Sequence, residues 1–205
     1  MKRSLLIIIL FTSSICLYSQ SYRLGIGVNI LTGNKYLNYE VGPALNLNYN
    51  LKKLPISING NAIFSLSELS KSNNISTGYT RSVFSLGIGL NYYPIKWAIM
   101  PYLGLVTFYN INNLSQSGTP SPSSEGFIRS PGSIKNNFSA EIHGGIIFSA
   151  NTSINFIVEV SKTYNRPSYN LKITDTRGEK YTSTYSNETF DFNSIFLRLG
   201  LNFEI

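Results

Sequence analysis

The chain has 205 residues, of which 42% are hydrophobic, only 13% are charged, and 14 are Tyr and 12 Phe. A soluble domain carries about a quarter charged residues, and past the first residues no run approaches the roughly 20 apolar residues of a spanning helix. The net charge of +7 comes from scattered Lys and Arg with no basic block, which excludes a nucleic-acid surface built by clustering.

The first element is a leader. Lys2 and Arg3 precede the apolar residues 5–11 and a more polar stretch ending at Ser19, the layout of a cleaved secretory signal peptide. Cleavage after Ser19 assigns 1–19 to the signal peptide and 20–205 to the mature domain, and lowers the net charge from +7 to +5 with the loss of Lys2 and Arg3. Cys16 follows Ile15, where lipid attachment would need a small residue. It leaves with the leader, and the mature chain then has no thiol for a disulfide or for catalysis.

Period-two runs follow, separated by turn residues, and each predicts a strand. The first sets Tyr22, Leu24, Ile26, Val28 and Ile30 against Arg23, Gly25, Gly27 and Asn29. The second sets Leu37, Tyr39, Val41, Leu45, Leu47 and Tyr49 against Asn38, Glu40, Gly42, Asn46 and Asn48. The third alternates Ile56, Ile58, Ala62, Phe64 and Leu66 with Ser57, Asn59, Asn61 and Ser65. The fourth alternates Phe84, Leu86, Ile88, Leu90 and Tyr92 with Ser85, Gly87, Gly89 and Asn91. The fifth, over 98–111, is less regular, with Leu103, Leu105 and Tyr109 facing outward and Gly104 inward. The sixth sets Phe138, Ala140, Ile142, Ile146 and Phe148 against Ser139, Glu141, His143 and Gly145, and the seventh Ile154, Phe156, Val158 and Val160 against Asn155, Glu159 and Ser161. The last sets Ile195, Leu197, Leu199, Leu201, Phe203 and Ile205 against Arg198, Gly200, Asn202 and Glu204.

Tight turns near Lys52, Ile95 and Asn151 alternate with longer links near Ser72 and over 112–137 and 165–187, which are rich in Ser, Asn, Gly and Pro. Only the first link, near Gly33, is short where a long one is expected. Every run has one uniformly apolar face and one face of Gly, Asn, Ser and single charges. A soluble sandwich would wet its second face with charge. Small polar residues suit the inside of a narrow closed barrel, and a uniform apolar exterior suits lipid, where only helices or closed barrels span. The fold class predicted is all-β: a closed antiparallel up-and-down transmembrane β-barrel of about eight strands. Ten strands is the alternative if the two longest loops contain hairpins.

Aromatic residues collect at the strand ends. Tyr22, Tyr49, Tyr92, Trp97, Tyr102, Phe148 and Phe203 fall toward the short turns, and Tyr39, Phe64, Tyr109, Phe138, Tyr164 and Phe192 toward the long loops. Two aromatic girdles at two membrane interfaces would give this arrangement. Tyr and Phe are also good strand formers wherever strands occur.

The leader, the hairpins and the closing segment Phe196-Leu197-Arg198-Leu199-Gly200-Leu201-Asn202-Phe203-Glu204-Ile205 resemble the small outer-membrane β-barrel superfamily. So does Pro101-Tyr102-Leu103-Gly104 at a strand opening. The resemblance implies export of the Sec type to the outer membrane of a diderm bacterium. It also implies that Leu199, Leu201, Phe203 and Ile205 form a sorting signal read by the barrel-assembly machinery. The segment departs from the commonest form of that signal by ending in Ile205, with its aromatic, Phe203, two residues earlier.

The inward charges Arg23, Glu40, Glu141, Glu159, Arg198 and Glu204 are expected to form a lumenal ion-pair network, because buried charge must pair. Closure would bring Arg23 to Glu204 and Arg198 to Glu159, with Glu141 one strand further. A proton or ion path is the sharper reading of the same groups. His143, the single histidine, reads as a lumenal polar residue. Barrel lipid hydrolases place a serine two residues after their histidine, and here that position is Gly145. One histidine cannot build a multi-histidine metal site and no acidic cluster stands beside it in sequence, so no catalytic residue, metal or cofactor is expected. Mid-strand Gly25/Gly27 and Gly87/Gly89 make room in a narrow barrel.

The segment 166–180 carries Arg166, Lys172, Arg177 and Lys180 against Asp175 and Glu179. Basic loops at an anionic leaflet would bind lipopolysaccharide phosphates, so the expected partners are outer-membrane lipid and lipopolysaccharide, around a monomer. Function is expected to be structural or loop-mediated binding without catalysis. The alternatives are a narrow pore or accessory transport component, then a lipid-modifying enzyme, then a secreted soluble barrel around an apolar ligand.

Overall fold

A computed structural model describes residues 22–34, 37–51, 54–69, 79–95, 98–116, 126–149, 153–177 and 182–204. The strands are β1 (Tyr22–Gly33), β2 (Leu37–Asn50), β3 (Ile56–Leu69), β4 (Tyr79–Tyr92), β5 (Ile99–Gln116), β6 (Phe127–Ile134), β7 (Asn137–Ser149), β8 (Ile154–Tyr164), β9 (Ser168–Asp175), β10 (Thr182–Thr189) and β11 (Ser194–Glu204). Eight of them close into an antiparallel barrel in the order β1-β11-β8-β7-β5-β4-β3-β2. The other three, from the two longest loops, form a separate sheet in the order β10-β9-β6. The loops therefore hold strands, but these stack at the barrel mouth and add nothing to the wall. Eight is the barrel's strand number.

The leader 1–19, Trp97 and Ile205 lie outside the described residues, as does the side chain of Tyr22.

Register follows the alternation. Each barrel strand turns its apolar set outward: Ile88 is 68% exposed and Leu103 63%. The exception is Leu37, which lies beyond a register shift at Tyr39 and is buried instead of outward. Of the expected girdle, Tyr92, Tyr109 and Phe138 are outward and exposed, while Tyr49 and Phe203 are outward and half-buried. Tyr109 and Phe138 pack ring against ring at 5.2 Å across β5 and β7.

Two aromatics depart from the expected belts. Tyr102 points into the lumen and is buried, within a plug formed with Tyr93, Met100, Ile147 and Ile157 toward the short-turn end. On β5 both faces are apolar, so alternation alone could not orient it. Phe192 is also buried, in the cluster under the loop sheet.

The lumen is accordingly more apolar than Gly, Asn and Ser alone would make it. Ala44, Ile63, Val106 and Phe108 form a further buried cluster inside. Glycines on facing strands are the complement of these side chains: a Cβ on Gly87 would stand 2.5 Å from the Phe108 ring. Ring fills the space that glycine leaves, which is how a narrow barrel reaches native packing density.

The loop sheet caps one end. Tyr169 and Leu171 of β9 and Ile134 of β6 face down onto Leu37, Leu69, Tyr79, Phe190 and Phe192. Phe190 stacks between Tyr169, at 3.8 Å, and Phe192, at 4.7 Å. The other face of β9 and β10 turns Asn170, Lys172, Tyr185 and Asn187 outward.

Candidate functional site

The polar residues inside the barrel gather at two levels. Barrel closure sets the main one, where β11 lies between β1 and β8 so that Arg198 is opposite Asn29 on one side and Glu159 on the other. Its guanidinium donates to Asn29 Oδ1 at 2.5 Å, to Glu159 Oε1, and to Glu141 Oε1 at 3.3 Å. Glu159 also accepts from the Tyr102 hydroxyl at 2.6 Å, and Glu141 from Thr163 at 3.2 Å. All of these charged groups are buried.

His143 stands beside them, with Nε2 2.8 Å from Asn91 Oδ1, Nδ1 3.5 Å from Glu141 and Nε2 3.9 Å from Glu159. Its ring occupies the space over Gly104, where a Cβ would come within 2.2 Å of Nε2. The acidic neighbours that sequence spacing did not offer His143 are supplied by strand pairing. Donor atoms of Glu141, His143 and Glu159 lie within 4.8 Å of one another. These three are the described residues that could ligate a metal, but Arg198 already spans both carboxylates, and a cation there would have to displace it. Ser161 pairs with His143 across β7 and β8, yet its buried Oγ makes no hydrogen bond among the described residues. Chemically the group is a buried ion-pair cluster, two carboxylates sharing one guanidinium with His143 beside them.

The second level lies nearer the loops. Arg81 is buried with Glu40 3.5 Å away, and it donates to Asn112 Oδ1 at 2.9 Å and lies 4.3 Å from the Phe192 ring. Glu40 thus belongs with Arg81 instead of with Arg198. Sequence reading missed Arg81 because its fourth run began at Phe84, whereas β4 starts at Tyr79. Arg23 and Glu204 form a third, partly exposed pair at 3.2 Å by the short-turn rim.

Between these layers the lumen keeps small polar voids. The one lined by Glu40, Arg81, Asn110 and Glu141 measures about 40 Å³, and the one lined by Asn48, Asn91, His143 and Arg198 about 20 Å³. Such spaces hold a few waters and no solute.

Outside the barrel, Arg177 forms a turn with Asp175 through three donors, at 3.1 and 2.9 Å from the side chain and 3.0 Å from its backbone N–H. The Arg177 side-chain bonds hold the Asp175 carboxyl at about 2. Because this value lies below the ordinary one of about 4, the pairing is complete above the ordinary range and is lost only as pH falls through about 2. A carbon-13 titration of Asp175 is expected to give a midpoint near 2, returning to about 4 in Arg177→Ala. A wild-type midpoint in the ordinary carboxylate range would mean that the turn does not form.

No family model matches the chain, and no curated protein is similar to it in sequence. Solved structures are similar in fold. The outer membrane protein OprG from Pseudomonas aeruginosa superposes with a TM-score of 0.61 at 13% identity, over 91% of this chain and 96% of that one. A major outer membrane protein from Thermus thermophilus gives 0.54 at 11%, over 90% and 99%. Neisserial surface protein A gives 0.53 at 11%, over 90% and 96%. At these identities the likeness is one of fold, and the fold is that of the small outer-membrane β-barrels.

Proposed function

We propose that this chain is an integral outer-membrane protein whose barrel is a solute-tight anchor, and whose work is binding by the surface it carries at the long-loop end. The observation that carries this reading is the closed lumen. An apolar plug, a buried ion cluster, a second ion pair and a capping sheet follow one another along the axis.

Membrane placement is supported by the apolar exterior, where apolar side chains of every barrel strand are exposed side by side as in few soluble monomers, and by the aromatic rims. The uppermost face of the loop sheet supports the binding role: its Asn170, Lys172, Tyr185 and Asn187 are exposed, a mixture of Tyr and adaptable polar groups suited to contact surfaces. The leader would direct export.

Conductance in a planar bilayer tests the reading. The wild-type protein is expected to give no discrete current steps at any holding voltage that the bilayer survives. Reproducible steps would overturn the anchor reading and favour the narrow pore.

A further inference from the structure

We infer that the outward face at the loop end of β8 is a binding site for the phosphate of a lipid in the facing leaflet, held by Lys162 and Arg166 on either side of Tyr164. The inference rests on the membrane reading above and names a ligand for a surface which that reading leaves to bulk lipid.

The first observation is a charge out of place. Lys162 alternates with Val160 and Tyr164 on the outward face of β8, and it is the one cation on the outward barrel wall among the described residues. Its cross-strand neighbours are Ile142 on β7 and Ile195 on β11, both exposed and apolar. None of the described carboxylates pairs with it. An ammonium on a lipid-facing wall is costly, increasingly so with depth, and among the described residues the face of the Tyr164 ring is what offsets it. Its Nζ lies 6.0 Å from the centroid of the Tyr164 ring, so the stem runs up the wall toward the aromatic rim, as an interfacial lysine does.

The second observation is the shape above it. The alternation continues past the strand end, with Asn165 buried and Arg166 exposed. An open cleft of about 490 Å³ is lined by Phe138, Tyr164, Arg166 and Asn193. Phe138 is 73% exposed and offers an acyl chain an aromatic wall. Arg166 is 3.4 Å from Asp191 through Nη2. That pair is solvent-exposed and therefore weak, and it leaves the rest of the guanidinium fork free.

Two cations thus flank Tyr164 on the outward side, one from the apolar wall and one from the residues past the strand end. Lipid is favoured over soluble phosphate because Lys162 is reached along the wall, where an amphiphile arrives with its chains already beside Phe138 and Tyr164.

The test is native mass spectrometry of the full barrel released from zwitterionic micelles. The protein is titrated with bisphosphorylated lipid A, with its dephosphorylated form and with inorganic phosphate. The phosphorylated lipid is expected to bind at one equivalent. Binding should fall about fivefold for each cation removed, in Lys162→Gln and in Arg166→Gln, and should be restored by Lys162→Arg. Equal binding of the dephosphorylated lipid, or unchanged binding in the double variant, would overturn the site. Full displacement by inorganic phosphate at the lipid's own concentration would assign it to a soluble anion and overturn the lipid. Heat-modifiable migration of each variant on gels separates the two levels. A folded barrel with no phosphate preference sinks this inference alone, whereas a chain that forms no barrel in micelles sinks the membrane reading and this inference with it.

Discussion

Replacing Arg198 with alanine is expected to destabilise the barrel by about 3–5 kcal/mol, the cost of leaving buried charge uncompensated. Arg198 is the one guanidinium touching Glu141 and Glu159 among the described residues, and both carboxylates are buried on the lumenal face of neighbouring strands. Without the guanidinium, two carboxylates face one another in a water-poor space, and Asn29 loses its partner as well. The sharper form of the experiment adds Glu141→Gln and Glu159→Gln to the alanine variant. Removing the whole charge set from a buried network is commonly neutral or stabilising, so the triple variant should recover most of the loss. Urea unfolding in micelles reads both. An unchanged midpoint for Arg198→Ala would show that the cluster is solvated, and the account of the lumen would fail with it.

The second large effect is expected at Phe192. Truncation to alanine should cost about 3–5 kcal/mol as a buried aromatic deletion, and the loss should localise. Phe192 lies between Phe190, whose ring continues the stack to Tyr169 of the cap, and the Arg81 guanidinium in the lumen. It therefore joins the cap to the wall. Limited proteolysis of Phe192→Ala should cut within the cap strands β6, β9 and β10 before the barrel strands, while Tyr185→Ala, on the exposed face of β10, should behave as wild type. Uniform protection of the cap in the Phe192 variant would mean that the sheet is held by other contacts.

The barrel was legible because lipid and lumen demand opposite side chains at alternate positions. Where both demands act, as from Leu24 to Ile30 or from Ile195 to Phe203, the pattern is clean and the register follows; Arg23 opposite Glu204 and Arg198 opposite Glu159 then follow from closure. Legibility ends where one demand lapses. Above the apolar belt, β4 continues as Tyr79-Thr80-Arg81-Ser82-Val83, whose outward Thr80 and Ser82 carry no apolar signal, so Arg81 went unread. On β5 the opposite failure occurs: Met100, Tyr102, Val106 and Phe108 fill the inside while Ile99, Leu103 and Leu105 cover the outside, and neither face announces itself. The cap strands fail for a third reason. Thr-Ser-Thr-Tyr-Ser-Asn-Glu-Thr in β10 is polar on both faces, and it is held by its antiparallel pairing with β9. Strand pairing also joined Glu141, His143 and Glu159 across β7 and β8, a proximity that no spacing along the chain encodes.

The seam between β1 and β11 joins Arg23 to Glu204, 181 residues apart in the chain. Every hydrogen bond along it must wait until the final strand has been synthesised and delivered. Until that moment the sheet has two raw edges, which recruit stray strands in water and cannot enter hydrocarbon unsatisfied. Closure of the barrel therefore depends on the 11 residues of β11, and a truncation there would leave an open, sticky ribbon in place of a slightly shorter cylinder.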